Sequence, residues 1–237
     1  MSKITTSLVA VALGIAIAAP YSASAQVAAP SKPDAAQKVR KVACVGDSIT
    51  QGVGAGPGMS WPDQLAKMLG EKWEVKNFGV SGRTLLNSGD FPYQKEAAFK
   101  NAKEFNPDGV VIILGTNDTK PQNWKHKKNF EADYKDLIKQ FAELPSKPKI
   151  FICYPPYIAQ NGNFGINEPN IKDEIPMIDA VARATLARVI DVHAALAGKD
   201  ALIPDKVHPN TEGAGEIAKA VYQGLTGKAY GAADAGK

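Results

Sequence analysis

The sequence predicts an α/β fold of three layers, α/β/α, around a five-stranded parallel sheet in the order 2-1-3-4-5. Three observations carry this. Short strand-like segments near 41–46, 73–77, 109–114, 149–153 and 189–192 alternate with segments of helical patterning. The run Gly109-Val110-Val111-Ile112-Ile113-Leu114 is apolar throughout, as a strand buried on both faces must be. The mostly short connections call for right-handed crossovers, with helices on both sides of the sheet.

The chain begins outside that pattern. Lys3 is followed by an apolar run from Leu8 to Ala19 and by Ala23-Ser24-Ala25, the small-x-small form of a signal-peptidase site. Residues 1–25 therefore read as a signal peptide cleaved after Ala25, and the expected destination is the periplasm or the outside of the cell. The run is short of the ~20 residues a membrane-spanning helix needs. Residues 26–40, rich in Ala, Pro, Ser and Lys, read as a flexible linker. The domain is expected over 41–224, and residues 225–237 as a frayed tail. No other stretch is apolar enough to cross a membrane.

The first strand stops at Gly46. Beyond it stand Asp47-Ser48-Ile49-Thr50 and the glycine-rich Gln51–Gly58, read as a flexible rim because it lacks the Lys-Ser/Thr of a phosphate loop. Ser60-Trp61-Pro62-Asp63 is a helix start, and Gly70 ends that helix. The second strand leads into Phe78-Gly79-Val80-Ser81-Gly82-Arg83-Thr84, and a helix is expected over 92–104. The third strand ends at Gly115-Thr116-Asn117-Asp118. Phe130, Tyr134, Leu137, Ile138 and Phe141 then fall on one face of a helix reaching about 144. The fourth strand runs into Tyr154-Pro155-Pro156-Tyr157, which cannot continue a central strand. A long loop, a helix at 171–187, a short strand, the segment Pro204–Asn210 and a helix at 211–224 complete the domain.

The composition is mild. Taking Lys3 from the 28 basic residues leaves 27 against 24 acidic ones, which argues little for a nucleic-acid partner. The run Lys125-His126-Lys127-Lys128 reads as a solvated face. Cys44 and Cys153 fall in strands separated by a third, so ~9–10 Å between them is expected, too far for a disulfide. No spacing of His, Cys, Asp or Glu suggests a metal, and no cofactor is expected.

Four loops leave the carboxyl ends of strands on one edge of the sheet, where ligands bind in such folds. They carry Ser48, Gly82, Asn117 and the pair Asp205/His208. Taken alone, Ser48 reads better as a cap than as a nucleophile, and Asp191/His193 is a rival acid–base pair. As a set, the four blocks are identified with the SGNH hydrolases, the GDSL esterase/lipase family. Gly46-Asp47-Ser48-Ile49 resembles its nucleophile block, Asn77-x-Gly79-x-Ser81-Gly82 its glycine block, Gly115-Thr116-Asn117-Asp118 its asparagine block and Asp205-x-x-His208 its last block. The resemblance spans about residues 41–222. It implies the family's flavodoxin-like fold, with Ser48, Asp205 and His208 catalytic. Ser48 N–H, Gly82 N–H and the Asn117 amide would form the oxyanion hole.

The resemblance implies an ester hydrolase, and the expected substrate is a small-molecule or oligosaccharide ester. The loops carry a polar and aromatic rim: Arg83, Asn87, Trp124, Tyr154, Tyr157, Asn161, Asn163 and Phe164. Aromatic faces and amides suit sugars. Arg83, Lys120, Trp124 and Tyr157 are the candidate substrate contacts. The segment 114–124 is similar to a branch described as sialate O-acetylesterase-like, which puts sialate ahead of plant-type glycans. The alternatives are a broad short-chain esterase or lysophospholipase, and a non-catalytic glycan-binding module.

Overall fold

A computed structural model of the chain describes Met1 and residues 38–231. The rest of the expected signal peptide, most of the linker and the last six residues lie outside the described residues.

The elements follow in order as β1 (Arg40–Gly46), α1 (Ser48–Gln51), α2 (Trp61–Leu69), β2 (Trp73–Gly79), α3 (Ala97–Glu104), β3 (Gly109–Ile113), α4 (Pro121–Trp124), α5 (Phe130–Ala142), β4 (Lys149–Cys153), α6 (Glu168–Thr185), β5 (Arg188–Ile190), α7 (Val192–Leu196) and α8 (Thr211–Thr226). All five strands are parallel, in the order β2-β1-β3-β4-β5. Alternate residues of the central strands enter two separate cores. Ala43, Val45, Val110, Ile112, Ile150 and Ile152 pack under α3, α5 and α6. Val42, Cys44, Val111, Ile113, Phe151 and Cys153 pack under α2 and α8. That division is the physical meaning of three layers: a strand covered on both faces has no polar side to offer.

The ends of the elements depart from the sequence reading at identifiable places. The helix expected at 92–104 is a 3-10 turn at Tyr93–Lys95 and then α3, because Glu96 is extended between them. The helix α6 begins at Glu168, where Asn167 accepts a hydrogen bond from Asn170 N at 2.9 Å, and it carries Pro176 in its interior. It therefore starts three residues before the expected 171, at an Asn cap followed by Pro169 in the first turn. At the other end α8 reaches Thr226, and Tyr230 packs edge-on to Tyr222. Cys44 and Cys153 are buried free thiols on β1 and β4, with β3 between them. Among the described residues, no helix is long and apolar enough to cross a membrane.

Candidate active site

The chain reverses its direction of travel across the sheet between β1 and β3, and Ser48 stands just past the end of β1. The turn is tight. A Cβ on Gly46 would lie 2.1 Å from Thr50 Oγ1 and 2.6 Å from the Ile113 carbonyl, so only glycine lets α1 fold back onto the strand end. Asp47 caps α1 by accepting a hydrogen bond from Ile49 N at 3.0 Å. Ser48 is the first residue of α1, so its N–H belongs to the turn's amino-terminal donors, which have no acceptor within the helix.

Ser48 Oγ lies 2.9 Å from His208 Nε2, across 160 residues of sequence. On the far side of the ring, His208 Nδ1 is 2.6 Å from Asp205 Oδ2. The other Asp205 oxygen accepts from Val207 N at 3.0 Å and from His208 N at 2.6 Å. This is why a three-residue spacing works: the carboxylate closes its own turn and reaches the ring that follows. Partial burial pushes the Asp205 carboxyl up, but the hydrogen bonds from His208 N, the His208 ring and Val207 N outweigh it and hold its pKa below 3.8. An ionised Asp205 fixes the proton on Nδ1, which leaves Nε2 able to accept the Ser48 hydroxyl proton.

Asn117 stands on the 3-10 turn after β3 and is 4% exposed. Its Nδ2 donates to Asp47 Oδ2 and to the Arg83 carbonyl, each at 3.2 Å. Both bonds are at the long end of the normal range, so a developing oxyanion would compete well with the neutral carbonyl. Gly82 has φ of +79° and nothing within 4 Å of where a Cβ would project. Asp118 holds the loop after Gly82, accepting from Leu85 N at 2.9 Å and Leu86 N at 2.7 Å. Burial pushes the pKa of Asp47 up to about 6 and that of Asp118 up to about 7. Neither acid was singled out from the sequence for its contacts. The signal was present in both Asp-Ser and Asn-Asp: a charged residue directly at a buried strand end needs a local partner.

A cavity of about 240 Å³ joins these groups, lined by Ser48, Val53, Ser81, Gly82, Asn117, Lys120, Phe164, Ile166 and His208. A larger opening, about 380 Å³, lies around Lys38, Trp73, Asp108 and Lys149 near the amino-terminal ends of the strands and contains no nucleophile beside a base.

Of the four candidate substrate contacts, Lys120 lines the cavity and the other three point elsewhere. The Arg83 guanidinium is 2.9 Å from Glu96 and donates to the Ser81 carbonyl at 2.7 Å. Trp124 is buried against Phe130, because the single turn of α4 rotates it into the core. Tyr157 packs edge-on to His193. The remaining rim residues divide likewise. Asn87 bonds Asp133, and Tyr154 bonds Asp179, whereas Asn163 and Phe164 adjoin the Asp205–His208 turn. The rival acid–base pair is not a pair: Asp191 caps α7, and His193 Nε2 is 2.8 Å from Glu168 Oε1. Among the described residues, no three His, Cys, Asp or Glu side chains are grouped to hold a metal ion.

An acetylxylan esterase of Xylanibacter ruminicola is 41% identical over 202 residues, which cover 76% of this chain and 42% of that protein. The chain thus spans about two fifths of the length of that curated relative. A carbohydrate acetylesterase of Sinorhizobium meliloti, Est24, superposes with a TM-score of 0.65 at 20% identity, over 79% of this chain and 99% of that one. An aryl esterase of M. smegmatis superposes with a TM-score of 0.65 at 21% identity, again over 79% and 99%. At such identities these two structures speak for the fold. The pattern of the GDSL-like Lipase/Acylhydrolase family matches residues 44–215, and the chain belongs to that family.

Proposed function

We propose that the protein is a serine esterase that removes O-acetyl groups from carbohydrate. The observation that carries this reading is the continuous relay from Ser48 Oγ through His208 to Asp205, at 2.9 and 2.6 Å. Ser48 Oγ attacks the ester carbonyl carbon as its proton passes to His208 Nε2. The carbonyl electrons move to the oxygen, which meets Ser48 N–H, Gly82 N–H and Asn117 Nδ2. Collapse breaks the bond to the sugar oxygen, which leaves with the proton from Nε2. Water, deprotonated by His208, then releases acetate and restores Ser48. Asp205 stays ionised and steadies the imidazolium. No cofactor enters these steps. The family membership supports acyl transfer, and the relative's acetylxylan esterase activity supports acetyl as the acyl group.

The cavity of about 240 Å³ suits an acetyl group better than a fatty acyl chain. Arg83 is committed to Glu96, so Lys120 is the one charged side chain among the cavity-lining residues. The relative's acetylxylan esterase activity favours a neutral acetylated glycan of the xylan type over sialate, reversing the preference drawn from residues 114–124. The leader read in residues 1–25 fits export to such a substrate. Acetate release from acetylated xylo-oligosaccharides and O-acetylated sialic acid, and fatty-acid release from a lysophospholipid, with Ser48→Ala as the blank, test the proposal. Release from the xylo-oligosaccharides alone is the expected result. Activity in a folded Ser48→Ala equal to wild type would remove Ser48 from the mechanism, and fatty-acid release without acetate would overturn the substrate class.

A further inference from the structure

Phe164 stands in an unfavourable conformation in an unfavourable place. It is 56% exposed, among the largest apolar exposures of the domain. Its φ is +54°, in the left-handed region that side chains with a Cβ rarely occupy. It is followed by Gly165 at φ +80°, and Ile166 N donates to the Asn163 carbonyl at 2.8 Å. Two positive φ values inside a hydrogen-bonded turn are the pattern of a type I′ hairpin, whose first central position ordinarily holds Asn, Asp or Gly. Strained backbone persists where its surroundings impose it, and it concentrates at working sites.

The surroundings do impose it. On one side, Asn163 Nδ2 donates to the Asp205 carbonyl at 3.3 Å. On the other, Gly165 abuts Pro121 and Lys120, just past the turn that carries Asn117. Beneath, Ile166 is buried with Ile158, Ile171 and Val207. The turn therefore bridges the acid–base loop and the oxyanion side. It holds the Phe164 ring at the cavity wall, with its centroid 5.8 Å from that of the His208 ring.

We infer that Phe164 is the stacking platform for the sugar ring that carries the scissile acetyl group. This rests on the acetylated-carbohydrate reading and names a binding contact for it. The cavity behind Phe164 has room for the acetyl group, while the alcohol half of the ester must lie across the mouth, against the exposed ring. A pyranose offers an apolar C–H face of matching size to an aromatic face. An aromatic ring has no charge to recognise, so the preference it imposes is for a ring-shaped alcohol.

The test compares wild type, Phe164→Gly and Phe164→Tyr on an acetylated xylo-oligosaccharide and on ethyl acetate, an acetate ester without a ring. Glycine accepts the positive φ, so a thermal melt of Phe164→Gly is expected at or above that of wild type. The ratio of kcat/KM for the oligosaccharide to that for ethyl acetate should fall roughly tenfold in Phe164→Gly, mainly through KM. Phe164→Tyr should keep the ratio. An unchanged ratio in folded Phe164→Gly overturns the platform, whether both rates drop together, as they would if the ring only steadied His208, or neither does. Wild type that cleaves ethyl acetate but no acetylated carbohydrate defeats the carbohydrate reading and the platform with it. An active wild type with an unaffected Phe164→Gly defeats the platform alone.

Discussion

Glu174 is the most exacting test of the electrostatics behind the candidate site. It projects from α6 into the core, is 0% exposed, and has no hydrogen-bond partner on either carboxyl oxygen. Its carboxyl lies against the Gly115 α-carbon, where a Cβ would come within 2.0 Å of Oε1. Burial and the nearby Asp118 and Asp47 carboxylates push its pKa well above 4.5. A buried acid with a raised pKa keeps its proton in the folded state at pH values where the unfolded chain has already released it. Stability therefore falls as pH rises above about 4.5, by about 1.4 kcal/mol per pH unit, until the folded protein titrates as well. Two units inside that window cost about 2.7 kcal/mol, a shift of about 1 M in a urea midpoint. Glu174→Gln keeps the shape and removes the titration. Asp47 and Asp118, raised to about 6 and about 7, impose the same sign of slope on both proteins. The variant should thus lose stability with pH less steeply than wild type, by one proton's worth. Urea unfolding at pH 5, 6 and 7 measures this, and parallel lines for the two proteins would refute the buried neutral acid.

Three further outcomes are expected. His208→Ala should lower ester hydrolysis by a factor of 10³ or more, whereas a folded His193→Gln should keep the wild-type kcat; the reverse pattern would move the base to His193. Asn117→Ala should lower kcat roughly 10²–10³-fold with little change in KM, and a change in KM alone would take its amide out of the oxyanion site. Gly115→Ala, at φ +121° and in collision with Glu174, should destabilise the domain by about 2–4 kcal/mol; a thermal midpoint equal to wild type would show that the turn has room to give.

The three central strands, β1, β3 and β4, were legible because buried parallel strands write themselves as largely unbroken apolar runs. Ser48, Asn117 and His208 were legible because each ends such a run or sits in a short, distinctive block. Side-chain direction was not. Trp124 and Arg83 lie one turn or one residue from cavity-lining positions, yet a single turn of helix and one carboxylate, Glu96, send them elsewhere. The one-turn helix α1 is too short to show periodicity. Glu174 had a readable signal: it lies on the apolar stripe with Ile171 and Ile178, a charge on the face that α6 buries. Phe164 was visible only as an aromatic in a long loop. Its positive φ depends on the turn closing between Asn163 and Ile166, which no local propensity for Phe would suggest.

The hydrogen bond between Ser48 and His208 joins residues 160 apart in sequence. The strand that delivers Ser48 and the helix α8 that follows His208 are near opposite ends of the folded chain, and α8 closes the domain by packing on α2. Contacts so distant in sequence carry a large loop-closure cost and are slow to form. Recovery of ester hydrolysis during refolding should therefore lag behind the return of helix and sheet signals, making activity a clock for the last step of folding. A protease cut anywhere between the two residues would leave Ser48 on one fragment and Asp205 and His208 on the other, so the relay would last only while the fragments stayed together.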